Sequence, residues 1–252
     1  MKVSKVGDGK VYLLAGGGRV FADMAAKFVR LEKPVAEIVD SPYNASLVKS
    51  LLSCGHLSAL EFDNFIFGVE GYSRVTEVQL VRKRMASYLI KSGRAELDGM
   101  REYSVVLPAN VLDATVVLRD GVGISVKEWL RISEDMYNYM VSAGIKEEDA
   151  RYIKPQATEF KAIIAMNAHA LIDWFKIRCC RNAQFEIRDM ANKMLKLCKE
   201  AAPDLFQDAG PSCVSLGYCP ENSRQHHTCV AAGKYLQKDV AKGVLESVVE
   251  LA

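Results

Sequence analysis

The sequence has no long apolar run. None of its 252 residues falls in a stretch approaching the roughly 20 consecutive apolar residues of a membrane span, and the run from Val11 to Ala15 is too short for the apolar core of a secretory signal. These absences predict a cytoplasmic protein. Charge of either sign is not in excess: 33 lysines and arginines face 31 acidic residues, a net of +2. That balance argues against a general nucleic-acid or membrane-surface binder and leaves any anion binding to local clusters. The seven cysteines are an odd number without an export signal, so reduced thiols are expected rather than a disulfide framework. Repeats and low-complexity tracts are missing. Gly16-Gly17-Gly18 lacks the G-x-G-x-x-G spacing of a dinucleotide loop and reads as a plain turn. Half the residues are apolar, enough to bury a sizeable core.

Local pattern predicts a strand from Lys10 to Leu14, a helix from Phe21 to Leu31, and a helix capped by Asn44 and closed at Cys54-Gly55. A strand follows from Phe62 to Val69, then a helix from Tyr72 to Tyr88 on the spacing of Val75, Val78, Val81 and Met85. Met100 to Val106 and Ala114 to Leu118 suit strands, Ser125 to Ala143 an amphipathic helix ended by Gly144, and Lys146 to Tyr152 a short helical turn. Thr158 to Arg178 and Gln184 to Ala202 suit two long helices, or one helix with a bend near Asn182. After Pro203 the composition turns irregular, with a last helix from Lys238 to Leu251. The expected organisation is one α/β (α+β) domain over residues 1–205 and a Cys/His-containing extension over 206–252.

The chemistry gathers in the stretch from Tyr72 to Leu97. Arg82, Lys83 and Arg84 are followed by Ser92-Gly93-Arg94. Planar guanidinium forks and a glycine that admits backbone N–H groups suit a phosphorylated ligand, the plain alternative being a solvated face. His56, Ser58 and Glu61 form a second group, where a structural histidine is the ordinary reading. A third comprises Glu148, Arg151, Asn167, His169, Asp173 and Arg178. On one continuous helix Asn167 and Arg178 share a face while His169 and Asp173 share another at i, i+4 spacing; interhelix salt bridges are the alternative. In the tail, Cys213, Cys219, His226, His227 and Cys229 are spaced more widely than a Cys-x2-4-Cys knuckle, so free thiols are expected and no metal is assigned, zinc being the alternative.

Arg82-Lys83-Arg84, seven residues, Ser92, one residue and Arg94 resembles the signature of the flavin-dependent thymidylate synthases, together with Gln79, Met85, Ala86, Ser87 and Tyr88. The similarity continues in Gly55-His56-Leu57-Ser58 with Glu61. It extends through Arg178-Cys179-Cys180-Arg181-Asn182-Ala183-Gln184-Phe185-Glu186-Ile187-Arg188, and covers about Asn44 to Pro220. The resemblance implies a mixed, mainly antiparallel sheet packed with long helices, assembled as a homotetramer whose sites draw on several copies. It implies reductive methylation of dUMP to dTMP, with FAD as cofactor and NADPH and methylenetetrahydrofolate as co-substrates. By resemblance, Gln79, Arg82, Ser92, Gly93, Arg94, Arg151 and Arg178 take the nucleotide-binding positions, and Arg178 matches the family's catalytic arginine, which polarises the uracil. Ser58, Arg82, Lys83, Arg84, Ile90, Asn167, His169 and Asp173 take the flavin positions. The reaction needs no enzyme thiolate, so Cys179 and Cys180 are not nucleophiles. Departures from the family pattern fall on the flavin side: Lys83 stands for His, Ile90 for an acidic or amide residue, Ala95 for Tyr, His169 for Arg, and Asp173 for Asn or His. They leave a second reading, a paralogue that binds a pyrimidine nucleotide and has lost or altered the flavin reaction.

Overall fold

The structure, a computed structural model, describes residues 1–18, 20–92, 103–222 and 229. Gly93, Arg94, Ala95, His226, His227, the start of the strand expected from Met100 and the helix expected from Lys238 to Leu251 lie outside the described residues.

The chain opens with β1 (Lys2–Lys5), which the sequence reading missed, and β2 (Lys10–Ala15). The three glycines then turn the chain. A Cβ at Gly17, whose φ is +82°, would lie 2.7 Å from the Ala201 methyl, so close packing as well as backbone freedom requires glycine there. Next come α1 (Phe21–Arg30), α2 (Val35–Val39) and α3 (Ala45–Ser53). Asn44 caps α3 as expected, its side chain accepting from the Leu47 N–H at 3.1 Å. A 3-10 turn over Leu57–Phe62 leads into β3 (Asn64–Ser73).

Here the structure corrects the sequence reading. The expected helix from Tyr72 to Tyr88 is only α4 (Arg74–Leu80); Arg82, Lys83 and Arg84 lie past its end, and β4 (Ser87–Ile90) follows. The spacing of Val75, Val78 and Val81 misled because these side chains are exposed, while Thr76 and Leu80 are fully buried. After β5 (Ser104–Leu107), α5 (Ala109–Leu112), β6 (Thr115–Val117) and β7 (Gly123–Ser125) comes α6 (Val126–Ser142). Ser125 caps α6 through the Glu128 N–H at 3.1 Å.

The short α7 (Glu147–Ala150) and a 3-10 turn over Arg151–Ile153 precede the largest correction. Instead of one helix from Thr158 to Arg178 there is a strand, β8 (Glu159–Asn167), and then α8 (Ala168–Arg178). Along β8, Phe160, Ala162, Ile164 and Met166 are buried while Lys161 and Ile163 are exposed, the period of two that a strand imposes. Asn167 is therefore the cap of α8, accepting from the Ala170 N–H at 2.8 Å, and not a residue on a helix face shared with Arg178. Then follow α9 (Phe185–Ala201), α10 (Pro203–Phe206) and α11 (Ser212–Leu216), so part of the expected irregular tail is helical.

Helix and sheet are mixed, as expected. A four-stranded sheet has the order β2–β3–β8–β4; β1 pairs with β5 in parallel and β6 with β7 antiparallel. The chain divides into two compact units. The first comprises residues 1–11, 68–84 and 88–164; the second comprises residues 12–67, 85–87 and 165–252. The first unit has a core of Tyr103, Val105, Leu107, Leu130, Tyr137 and Ala150. In the second, Phe65 meets Phe206 edge-on at 5.2 Å, and Phe206 meets Phe175 at 6.2 Å. No helix among the described residues is long and apolar enough to cross a membrane.

Candidate functional site

In the first unit the fold builds a polar cavity of about 540 Å³ from α4, the end of β4 and the segment Arg151 to Glu159. Ser92 and Arg151, both expected at a nucleotide, line it together, as does Ile90. Arg151 is steadied by its Nε donating to the Glu148 carbonyl at 3.2 Å. So Glu148 takes part through its backbone and not its carboxylate. Gln79 and Arg82 are not in this lining.

Four lining residues that the sequence reading did not single out set the charge. Arg74, Lys91 and Lys154 join Arg151 against Glu77 and Glu159, four cations facing two carboxylates. An excess of two positive charges matches a phosphate monoester dianion. Arg74 pairs with Glu77, one turn on along α4, an i, i+3 spacing visible in the sequence. Lys154 has its Nζ 4.0 Å from the centre of the Tyr137 ring and 5.2 Å from that of Tyr103. Two aromatic faces hold that ammonium. Nothing in the local sequence of Lys154 announced them, because they come from α6 and from the residue just before β5.

In the second unit Ser58 and His56 sit on the rim of an apolar cavity of about 620 Å³, walled by Phe21, Phe28 and Val29 of α1 and by Phe62. Around the start of α8 the polarity changes. The His169 Nδ1 lies 3.2 Å from Glu61 and its Nε2 3.8 Å from Asp173, while Lys176 donates to Asp173 at 3.2 Å. Glu61, expected with His56 and Ser58, thus joins His169 and Asp173 in one cluster. Arg178 is the last residue of α8, half-buried, at the helix end that favours a cation.

The run from Arg178 to Arg188 is a built corner between two helices. Gln184 caps α9 by accepting from the N–H groups of Glu186 and Ile187, each at 3.0 Å. Arg188 donates to the carbonyls of Arg181 at 2.6 Å and Ala183 at 3.0 Å. Burial pushes the Cys179 thiol up to about 12 and raises that of Cys180. A protonated thiol is a poor nucleophile. On native protein at pH 8, alkylation followed by peptide mass analysis is expected to label exposed Cys54 and to leave Cys179 and Cys198 unlabelled until unfolding. Labelling of Cys179 as fast as Cys54 would contradict this burial.

Cys180, Cys213, Cys219 and Cys229 come within electrostatic reach of one another. Among the described residues, however, no three or more His, Cys, Asp or Glu side chains are arranged to hold a metal ion.

The family model described as thymidylate synthase complementing protein matches residues 19–204. A flavin-dependent thymidylate synthase of Geobacter sulfurreducens is 42% identical over 176 residues, 70% of this chain and 73% of that protein. The chain belongs to the flavin-dependent thymidylate synthase family. Another member, from Nitratidesulfovibrio vulgaris, is 37% identical over 202 residues, 78% of this chain and 79% of that protein. The fold is also that of a solved structure, the UMP/dUMP methylase PolB from Streptomyces cacaoi bound with 5-Br dUMP, at a TM-score of 0.65 and 21% identity, covering 82% of this chain and 96% of that one.

Proposed function

We propose that the protein is a thymidylate synthase that methylates dUMP reductively to dTMP, with methylenetetrahydrofolate as carbon donor, FAD as cofactor and NADPH as reductant. The observation that carries this reading is the cavity in which Ser92 and Arg151 meet an excess of two positive charges. A nucleoside monophosphate supplies the complementary dianion. The bromo-dUMP bound to PolB, a protein of the same fold, supports the choice of nucleotide.

In this reading Ser92, Gly93, Arg94 and Arg151 hold the nucleotide with Gln79 and Arg82. Arg178 takes the role of the catalytic arginine, stabilising the negative charge that grows on the uracil as C5 becomes nucleophilic. Most of what the protein contributes is orientation and fixed charge. When bound, reduced flavin supplies the hydride.

The residues at the flavin positions fit in part. Ser58 offers a hydroxyl beside an apolar wall fit for a ring, and Arg84, like Arg82, is exposed and able to meet a phosphate. The Asn167 carbonyl oxygen is already engaged as a helix cap. At His169, two carboxylates share one imidazole, which disfavours a diphosphate. That cluster favours the second reading, a nucleotide-binding relative with a weakened or altered flavin reaction. We also propose a homotetramer, for which the exposed Phe28 and Val29 of α1 supply apolar surface.

Titration calorimetry with dUMP tests the proposal. Heat is expected from flavin-free and flavin-loaded protein alike, because the cavity with Ser92 and Arg151 is built from protein groups alone. No heat in either state would refute nucleotide binding. A yellow preparation with a flavin spectrum would favour the synthase over the second reading.

A further inference from the structure

The cationic turn stands at the end of a helix, where the last carbonyls lack intrahelical donors. α4 stops at Leu80. The Lys83 N–H returns to the Leu80 carbonyl at 3.3 Å, closing a four-residue turn with Val81 and Arg82 at its centre. Arg84 leaves directly after it. Both arginines are exposed, so their direction depends on the backbone that carries them.

That backbone has a clasp. The hydroxyl of Tyr88, on β4, lies 2.9 Å from the Leu80 carbonyl and 2.9 Å from the Lys83 carbonyl. One phenolic hydrogen is shared between the first and last carbonyls of the turn. The clasp joins the turn to β4, which ends at Ile90, and the chain then passes through Lys91 and Ser92 in the cavity wall.

We propose that Tyr88 is a positioning residue. Its hydroxyl fixes the turn from which Arg82 and Arg84 meet their phosphorylated ligands, and it acts through those arginines without touching the ligand. The inference rests on the function proposed above, in which Arg82 serves the nucleotide. Without the clasp the two guanidinium groups sample more directions, and more freedom is lost when a ligand orders them. Phenylalanine keeps the ring and removes only the O–H. The Lys83 carbonyl, on a half-exposed residue, then passes to water, while the Leu80 carbonyl, on a fully buried residue, keeps the Lys83 N–H.

The test is a double-mutant cycle on the full chain, read as the dUMP Kd by calorimetry. Tyr88→Phe is expected to raise Kd roughly 5- to 10-fold, the effect of one net hydrogen bond, with Tm within about 2 °C of wild type. Arg82→Ala is expected to raise Kd at least as much. In the Arg82→Ala background, Tyr88→Phe should then add less than about 2-fold, since coupled residues are not additive. A merely structural Tyr88 predicts the same factor in both backgrounds, and that result overturns the proposal. So does an unchanged Kd in Tyr88→Phe alone, or an Arg82→Ala variant that binds like wild type. A wild type that binds no dUMP defeats the function reading first, and the clasp's role falls with it.

Discussion

Arg178→Ala is expected to lower kcat for thymidylate formation about 10²- to 10³-fold, the usual cost of removing one fixed donor from a site of developing negative charge. Affinity for dUMP should fall as well, because in the proposed reading the same fork also binds the uracil of the substrate. The fold should survive. The side chain is half-buried at the end of α8, and the helix is secured independently by buried Trp174 and Phe175 and by the Cys179 N–H donating to the Phe175 carbonyl at 3.0 Å. Arg178→Lys separates charge from geometry. Lysine keeps a cation but has no planar fork, so it should restore only part of the lost rate. Turnover under saturating substrates, beside dUMP affinity by calorimetry, makes the check. An alanine variant within about 3-fold of wild type would remove Arg178 from the chemistry.

What was legible in the sequence was punctuation. Asn44 marks the start of α3 because a side-chain oxygen before a helical pattern has one evident use, and the amphipathic pattern from Ser125 marks α6, which Ser125 caps. Periodicity was less reliable where two periods competed. Phe160, Ala162, Ile164 and Met166 alternate as a buried strand face, yet Phe160 and Ile164 alone also fit a helical spacing with Leu171 and Phe175, which suits one long helix. Asn167 was the discriminating sign, since it is a strong cap sitting at the boundary. In α4 the apolar spacing was real but marked the exposed face.

The same division runs through the candidate site. Ser92 and Arg151 were found by the spacing of a resemblance, and the fold brings them to one cavity. Arg74 and Lys154 were not: the Arg74–Glu77 pair is a local i, i+3 spacing, but the cavity that Arg74 shares with the Lys91 segment is tertiary, as are the two tyrosine faces at Lys154. Likewise Tyr88 is an ordinary strand residue until its hydroxyl meets two carbonyls that only the turn brings together.

Lys83→His combined with His169→Arg is expected to tighten FAD binding and speed methyl transfer, improving on the wild type in both. The reason is charge placement. His169 lies 3.2 Å from Glu61 and 3.8 Å from Asp173, and although Lys176 also reaches Asp173 at 3.2 Å, the start of α8 offers a flavin diphosphate more repulsion than welcome. Arginine at 169 would satisfy both carboxylates and still have N–H groups to spare, since its fork carries five donors. One charge-assisted hydrogen bond recovered corresponds to a roughly 10- to 100-fold lower Kd. Position 83 acts differently. A lysine there is a mobile, strongly hydrated point charge, whereas a histidine is a flat ring able to stack and to hold a proton. The single variants should therefore divide the effect, His169→Arg improving FAD affinity and Lys83→His improving turnover. Flavin fluorescence titration and a dTMP assay measure the two separately. A wild type that already binds FAD as tightly as the double variant, and makes dTMP as fast, would mean that these departures do not weaken the flavin site.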